Sequence, residues 1–150
     1  MPRPNVLLFL TDGQRLDSVG CYGSRLVRTP HLDGLAARGV RFTQACGGHT
    51  VCMPNRATLM TGRYAHVHGV WANGVPLRRS ETTLPAVLAA QGYATGACGK
   101  VHHEPQQPYN GVAPFIDPAS GPYYGFQEVH LSENALGQEY LNWVQVNHPE

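Results

Sequence analysis

TTLPAVLAAQGYATGACGK, residues 82–100, contains a complete helix-to-strand transition. Thr83 precedes the apolar run and can cap it, Pro85 falls in the first turn, where its missing N–H removes no helical bond, and Gly92 provides the stop. YATGACGK (93–100) then reads as a short strand ending in Gly99-Lys100-Val101-His102. The same grammar occurs upstream in TPHLDGLAARG (29–39): Thr29 as cap, Pro30 in the first turn, Gly39 as stop, and Leu32, Leu35 and Ala36 on one face. VRFTQAC (40–46) follows as a second strand. NVLLFL (5–10), a continuous apolar run, reads as the first strand of a parallel sheet buried on both faces, with Asp12 in the loop after it. Strand, helix, strand, helix, strand predicts an α/β fold whose mostly parallel sheet is flanked by helices. Ligands of such sheets bind beyond the carboxyl ends of the strands, where Asp12 and the Lys100–His102 segment fall.

The remaining features are consistent with this. The chain has 150 residues, 42% of them apolar, which suits one globular domain over 1–150. A net charge of +1, without a basic cluster, excludes the electrostatic footprint of a nucleic-acid binder. The run Val6–Leu10 is too short for a secretory leader or a membrane span, so a cytoplasmic protein without membrane contact is expected. Cys21, Cys46, Cys52 and Cys98 form no C-x-x-C pair, which argues against zinc or a redox dithiol, and three of them read as small buried hydrophobes. The stretch from Pro105 to Pro122 reads as a surface loop. Ser132–Val146 reads as an amphipathic helix with Leu136, Tyr140, Trp143 and Val144 on one stripe.

The chemistry concentrates in HTVCMPNRATLMTGR, residues 49–63. Asn55–Thr61 looks helical, with Gly62 as its stop, and Pro54 fixes the turn that enters it. Cys52 therefore sits where helix dipole and free N–H groups favour negative charge, and Arg56, one turn on, can place a guanidinium beside it. This is an anion site with a candidate nucleophile. No Cys-x5-Arg phosphatase loop and no Walker loop is present.

Cys52-Met53-Pro54-Asn55-Arg56 resembles the C-x-P-x-R signature of the formylglycine-dependent sulfatases, within the alkaline-phosphatase-like superfamily, and Ala57 to Arg63 resembles its usual continuation. NVLLFLTDGQRLDSVGCYG (5–23) resembles the family's amino-terminal strand and metal-binding aspartate, Gly99-Lys100-Val101-His102 its G-K-x-H motif, and HGVWANG (68–74) a segment common after the signature. The resemblance implies conversion of Cys52 to formylglycine by a formylglycine-generating enzyme. The hydrated aldehyde would attack the sulfur of a small-molecule or carbohydrate sulfate ester and then expel sulfate. It implies Ca²⁺, or another divalent cation, at Asp12 and modified Cys52. Arg56 would hold the nucleophile, Lys100 and His102 would bind the sulfate or assist the leaving oxygen, with His103 in place of His102 if the strand register slips, and Asn73 and His68 would stand at the substrate edge.

Other readings stand beside these. Asp12 next to Gly13 can cap a turn, Lys100 can be a solvated surface lysine, His102 a packed loop histidine and Cys52 an ordinary thiol. Gly13 stands where the family often carries a second acid, a departure shared with some phosphate and phosphonate ester hydrolases. Members are also much longer, with further metal ligands downstream, so the chain is expected to be an amino-terminal portion of a catalytic domain with little activity alone. The competing functions are a phosphonate monoester hydrolase or phosphodiesterase on the same scaffold, and a non-catalytic anion-binding module.

Overall fold

The computed structural model describes residues 3–105, 121–133 and 138–148. It divides into two compact units, Met1–Ala45 and Cys46–Glu150.

In the first unit, helix α1 (Pro30–Arg38) begins with its expected proline and ends at Gly39. Thr29 does not cap it by side chain. The hydroxyl instead accepts from Gly20 N at 2.7 Å and donates to Asp33 at 3.0 Å. The Asp33 carboxylate also accepts from Cys21 N at 2.6 Å, so it holds the short 3₁₀ turn Gly20–Tyr22 against the helix; a second such turn, Leu16–Ser18, precedes it. The strands expected over 5–10 and 40–46 are absent: both segments are exposed and carry no ladder. A continuous apolar run becomes a strand only when a neighbouring strand satisfies its backbone groups, and among the described residues neither run has a strand partner.

The second unit contains α2 (Cys52–Thr61), α3 (Ala65–His68), α4 (Leu84–Ala90), β1 (Gly96–Gly99), β2 (Glu128–Leu131) and α5 (Gln138–Asn147). Here the helix-to-strand reading of 82–100 holds. Thr83 caps α4 by accepting from Ala86 N at 3.4 Å, while its hydroxyl donates to Tyr124 O at 2.5 Å. β1 and β2 pair in parallel, Gly96 with Glu128 through Gly99 with Leu131. This is the parallel pairing an α/β chain predicts, and β2 is an element the sequence reading did not place. α2 starts at Cys52 rather than Asn55, because Pro54 occupies the third helical position, still inside the first turn, where no N–H is needed.

The core of this unit joins Met53 and Ala57 of α2 to Val70, Leu77, Val101, Tyr123 and Tyr124. On α2 the buried positions are Met53, Pro54, Arg56 and Ala57, a spacing that covers one helical face. The Tyr123 and Tyr124 rings meet edge to face at 4.9 Å, and the Arg79 guanidinium lies 4.9 and 4.6 Å from their centres while pairing with Glu104 at 2.6 Å. Burial pushes both phenols well above their usual range. Tyr124 donates to Leu77 O at 2.6 Å. Trp143, on the expected apolar stripe, is 54% exposed, and Trp71 is 70% exposed. Leu136 and most of the expected 105–122 loop lie outside the described residues, as do the surroundings of Tyr140. No helix among the described residues is long and apolar enough to cross a membrane.

Candidate active site

Cys52 is the first residue of α2, half-buried and in no disulfide. Val51, at the N-cap, offers no side-chain acceptor. That task falls to Asn73, twenty-one residues downstream. Its Oδ1 accepts from Met53 N at 3.0 Å, which turns Nδ2 towards the Cys52 sulfur, 3.2 Å away. A residue from the HGVWANG segment thus caps α2 and contacts its first side chain at once. The loop before α2 is tied by His49 N to Asn55 Oδ1 at 3.3 Å and Val51 N to His49 Nδ1 at 3.1 Å.

Arg56 follows one turn later and is 6% exposed. Its Nη1 donates to the main-chain oxygen of Lys100, which docks the segment leaving β1 onto α2. Lys100 is half-buried, and His102 is buried with φ 56. A left-handed backbone at a non-glycine residue costs on the order of 1 kcal/mol and persists only where its surroundings enforce it. Glu133 supplies part of that enforcement: Oε1 accepts from His102 N at 2.9 Å and Val101 N at 3.3 Å. Burial pushes the Glu133 carboxyl up, against the lowering effect of these two bonds and of Arg56 and Lys100.

His103 is set apart from its neighbour. It is 1% exposed, packs edge to face on Tyr124 at 5.0 Å, and neither ring nitrogen has a hydrogen-bond partner among the described residues. Burial, then Arg56, His102 and His68, hold its pKa down to about 4. His68 is likewise structural: Val70 N donates to its Nδ1 at 3.1 Å, and its Nε2 lies 3.0 Å from the Thr58 hydroxyl. Arg63 pairs with Glu81 at 3.2 Å, in keeping with a structural role.

Five of the residues singled out by sequence, Cys52, Arg56, Asn73, Lys100 and His102, therefore belong to one unit. Cys52 is linked to Asn73, and Arg56 to the Lys100 segment. Asp12 belongs to the other unit, at an exposed bend before Gly13, whose φ of 63 is one a side-chain-bearing residue rarely adopts. Three or more His, Cys, Asp or Glu side chains nowhere cluster as a metal site among the described residues. Among the described residues no set of side chains completes the six to eight oxygen ligands that Ca²⁺ takes. Cys52 is an unbridged thiol at the first position of α2, with the Asn73 amide against its sulfur. Glu133 was not legible in sequence, since its contact with Val101 and His102 depends on strand pairing.

The family model described as Sulfatase matches residues 4–143. The chain is 39% identical over 112 residues to the steryl-sulfatase of Rattus norvegicus, covering 67% of this chain and 19% of that protein. It is 34% identical over 106 residues to the N-acetylglucosamine-6-O-sulfatase of Bacteroides thetaiotaomicron, covering 69% and 19%. Among solved structures, the phosphonate monoester hydrolase of Agrobacterium radiobacter superposes with a TM-score of 0.75 at 32% identity over 96% of this chain and 29% of that one. The chain spans about a fifth of the length of the curated relatives it matches.

Proposed function

This chain belongs to the sulfatase family, and we propose that it is the nucleophile-bearing part of a sulfuric ester hydrolase that works through formylglycine at position 52. One arrangement carries the reading: Cys52 heads α2 with the Asn73 amide on its sulfur, while Arg56 of the same helix holds the segment that bears Lys100 and His102. A hydrated aldehyde at that position supplies one hydroxyl to attack sulfur and a second to release sulfate.

The chain's own residues do the rest. Asn73 orients residue 52 through a nitrogen whose direction is set by the Met53 N–H. Arg56 brings a permanent positive charge into a buried place, where it stabilises an anion far better than in water. Lys100 adds a second positive charge to sulfate oxygens, and His102 stands to give a proton to the departing ester oxygen. A family cation, Ca²⁺ at Asp12, belongs to this reading for the whole enzyme, though the described donors do not complete its shell. Small-molecule and carbohydrate sulfates fit the relatives' substrates; N-acetylglucosamine-6-O-sulfatase is one such relative by name.

The test is the chemical state of residue 52 in the protein isolated from its own cells, by mass spectrometry of the peptide spanning 49–63. An aldehyde there, with turnover of an aryl sulfate abolished in Cys52→Ala, is the expected result. Unmodified thiol throughout would sink the formylglycine mechanism. A second reading, phosphonate monoester hydrolysis, is favoured by the Agrobacterium radiobacter likeness over 96% of the chain and by Gly13 in place of a second acid. Rates on paired aryl sulfate and phenyl phosphonate esters separate the two.

A further inference from the structure

Glu133 lies two residues past the end of β2, and Ser132 N extends the ladder by donating to Gly99 O at 3.0 Å. This extra rung carries the Glu133 carboxylate to the point where β1 exits. There one oxygen accepts from two successive backbone N–H groups, those of Val101 and His102. Its other oxygen, Oε2, is buried with no hydrogen-bond partner among the described residues. Arg56 holds the Lys100 carbonyl. The turn from Lys100 to His102 is therefore held by both a guanidinium and a carboxylate, at the place where the backbone takes its left-handed step.

We propose that Glu133 is a positioning residue for the candidate sulfate site: it fixes the turn that presents Lys100 and His102, acting as an acceptor for main-chain N–H groups. The inference rests on the reading of Lys100 and His102 as the sulfate-binding pair. Without the acceptor, two N–H groups lose their partner and the left-handed residue loses its restraint. Lys100 and His102 then sample several positions, and the anion must select among them. An amide oxygen can accept the same two bonds, so Glu133→Gln should retain the function that Glu133→Ala removes.

Two readouts on the protein as its own cells make it decide the matter: hydrogen exchange of the Val101 and His102 amides, and affinity for inorganic sulfate. Glu133→Ala is expected to speed both exchange rates and weaken sulfate binding by roughly ten-fold. Glu133→Gln is expected to stay within about two-fold of wild type in both. Unchanged exchange and affinity in the alanine variant would overturn the proposal, and so would a glutamine variant as defective as alanine. Should Glu133→Ala fail to fold, wild-type-like behaviour of Glu133→Gln still supports the acceptor role, and its failure still refutes it. If wild type itself binds no sulfate, the reading of Lys100 and His102 falls, while the exchange rates judge the clamp separately.

Discussion

At the scale of single residues, the site depends on partners distant in sequence. Asn73 does for α2 what a neighbouring cap usually does. Asn73→Ala should therefore destabilise the protein by about 1 kcal/mol in urea unfolding, since the Met53 N–H loses its acceptor. Asn73→Asp keeps that acceptor and should keep stability, but loses the donor that faces residue 52 and with it turnover. His103 gives a pH signature. Its folded pKa of about 4 lies below the ordinary 6.5, so the unfolded chain binds a proton that the fold refuses. Stability is full above pH 6.5 and falls as the pH drops towards 4, by on the order of 3 kcal/mol. Denaturant midpoints across that range should flatten in His103→Phe, which preserves the ring against Tyr124. Cys52, Arg56, Lys100 and His102 stand out as candidates in the sequence because their pattern is local. Glu133 was not, because nothing near it in sequence indicates which backbone it will reach.

At the scale of elements, punctuation residues were read well and pairing was not. Thr83, Pro85 and Gly92 mark α4 through short-range physics, and the structure agrees within a residue or two. α2 was expected to start after Pro54, yet a first-turn proline costs nothing and the helix begins at Cys52, which moves the cysteine onto the helix itself. β2 went unplaced because four residues, EVHL, carry too little periodic signal; its parallel partner defines it. The α4 surface offers a sharp test. A Cβ at Gly125 would lie 2.2 Å from Ala86 N, a main-chain atom that cannot swing aside, and the glycine also has φ 88. Gly125→Ala should cost upwards of about 2 kcal/mol by overpacking and backbone strain together. Gly62→Ala, with nothing within 4 Å of the added methyl, should cost only about 1 kcal/mol. Thermal unfolding of the two variants side by side checks the ranking.

At the scale of the whole molecule, the second unit has a connected core and the first keeps large apolar side chains in solvent. Leu7 is 89% exposed and Phe9 77%, within a run expected to lie buried in a sheet. Exposed apolar runs of this kind bind hydrophobic dyes and drive association. The 150-residue chain on its own is therefore expected to enhance the fluorescence of anilinonaphthalene sulfonate and to associate in light scattering. Both signals should fall in the double variant Leu7→Lys, Phe9→Lys; signals unchanged by it would locate the sticky surface elsewhere.

The sequence by itself determined the boundaries of α4 set by Thr83, Pro85 and Gly92, the α/β class, the family, and which residues are candidates for an anion site. These are matters of short-range sterics, dipoles and fixed spacing, which travel with a few neighbouring residues. Only the tertiary structure decided that Asn73 caps α2, that Arg56 grips the Lys100 carbonyl, that Glu133 clamps the left-handed turn at His102, and that His103 is buried neutral beside it. Each of those depends on bringing together groups twenty to forty-four positions apart, or on a burial that no neighbour in the chain imposes. The apolar run at 5–10 shows the same division: its composition marks a strand, but a strand exists only where another backbone stands beside it to share hydrogen bonds.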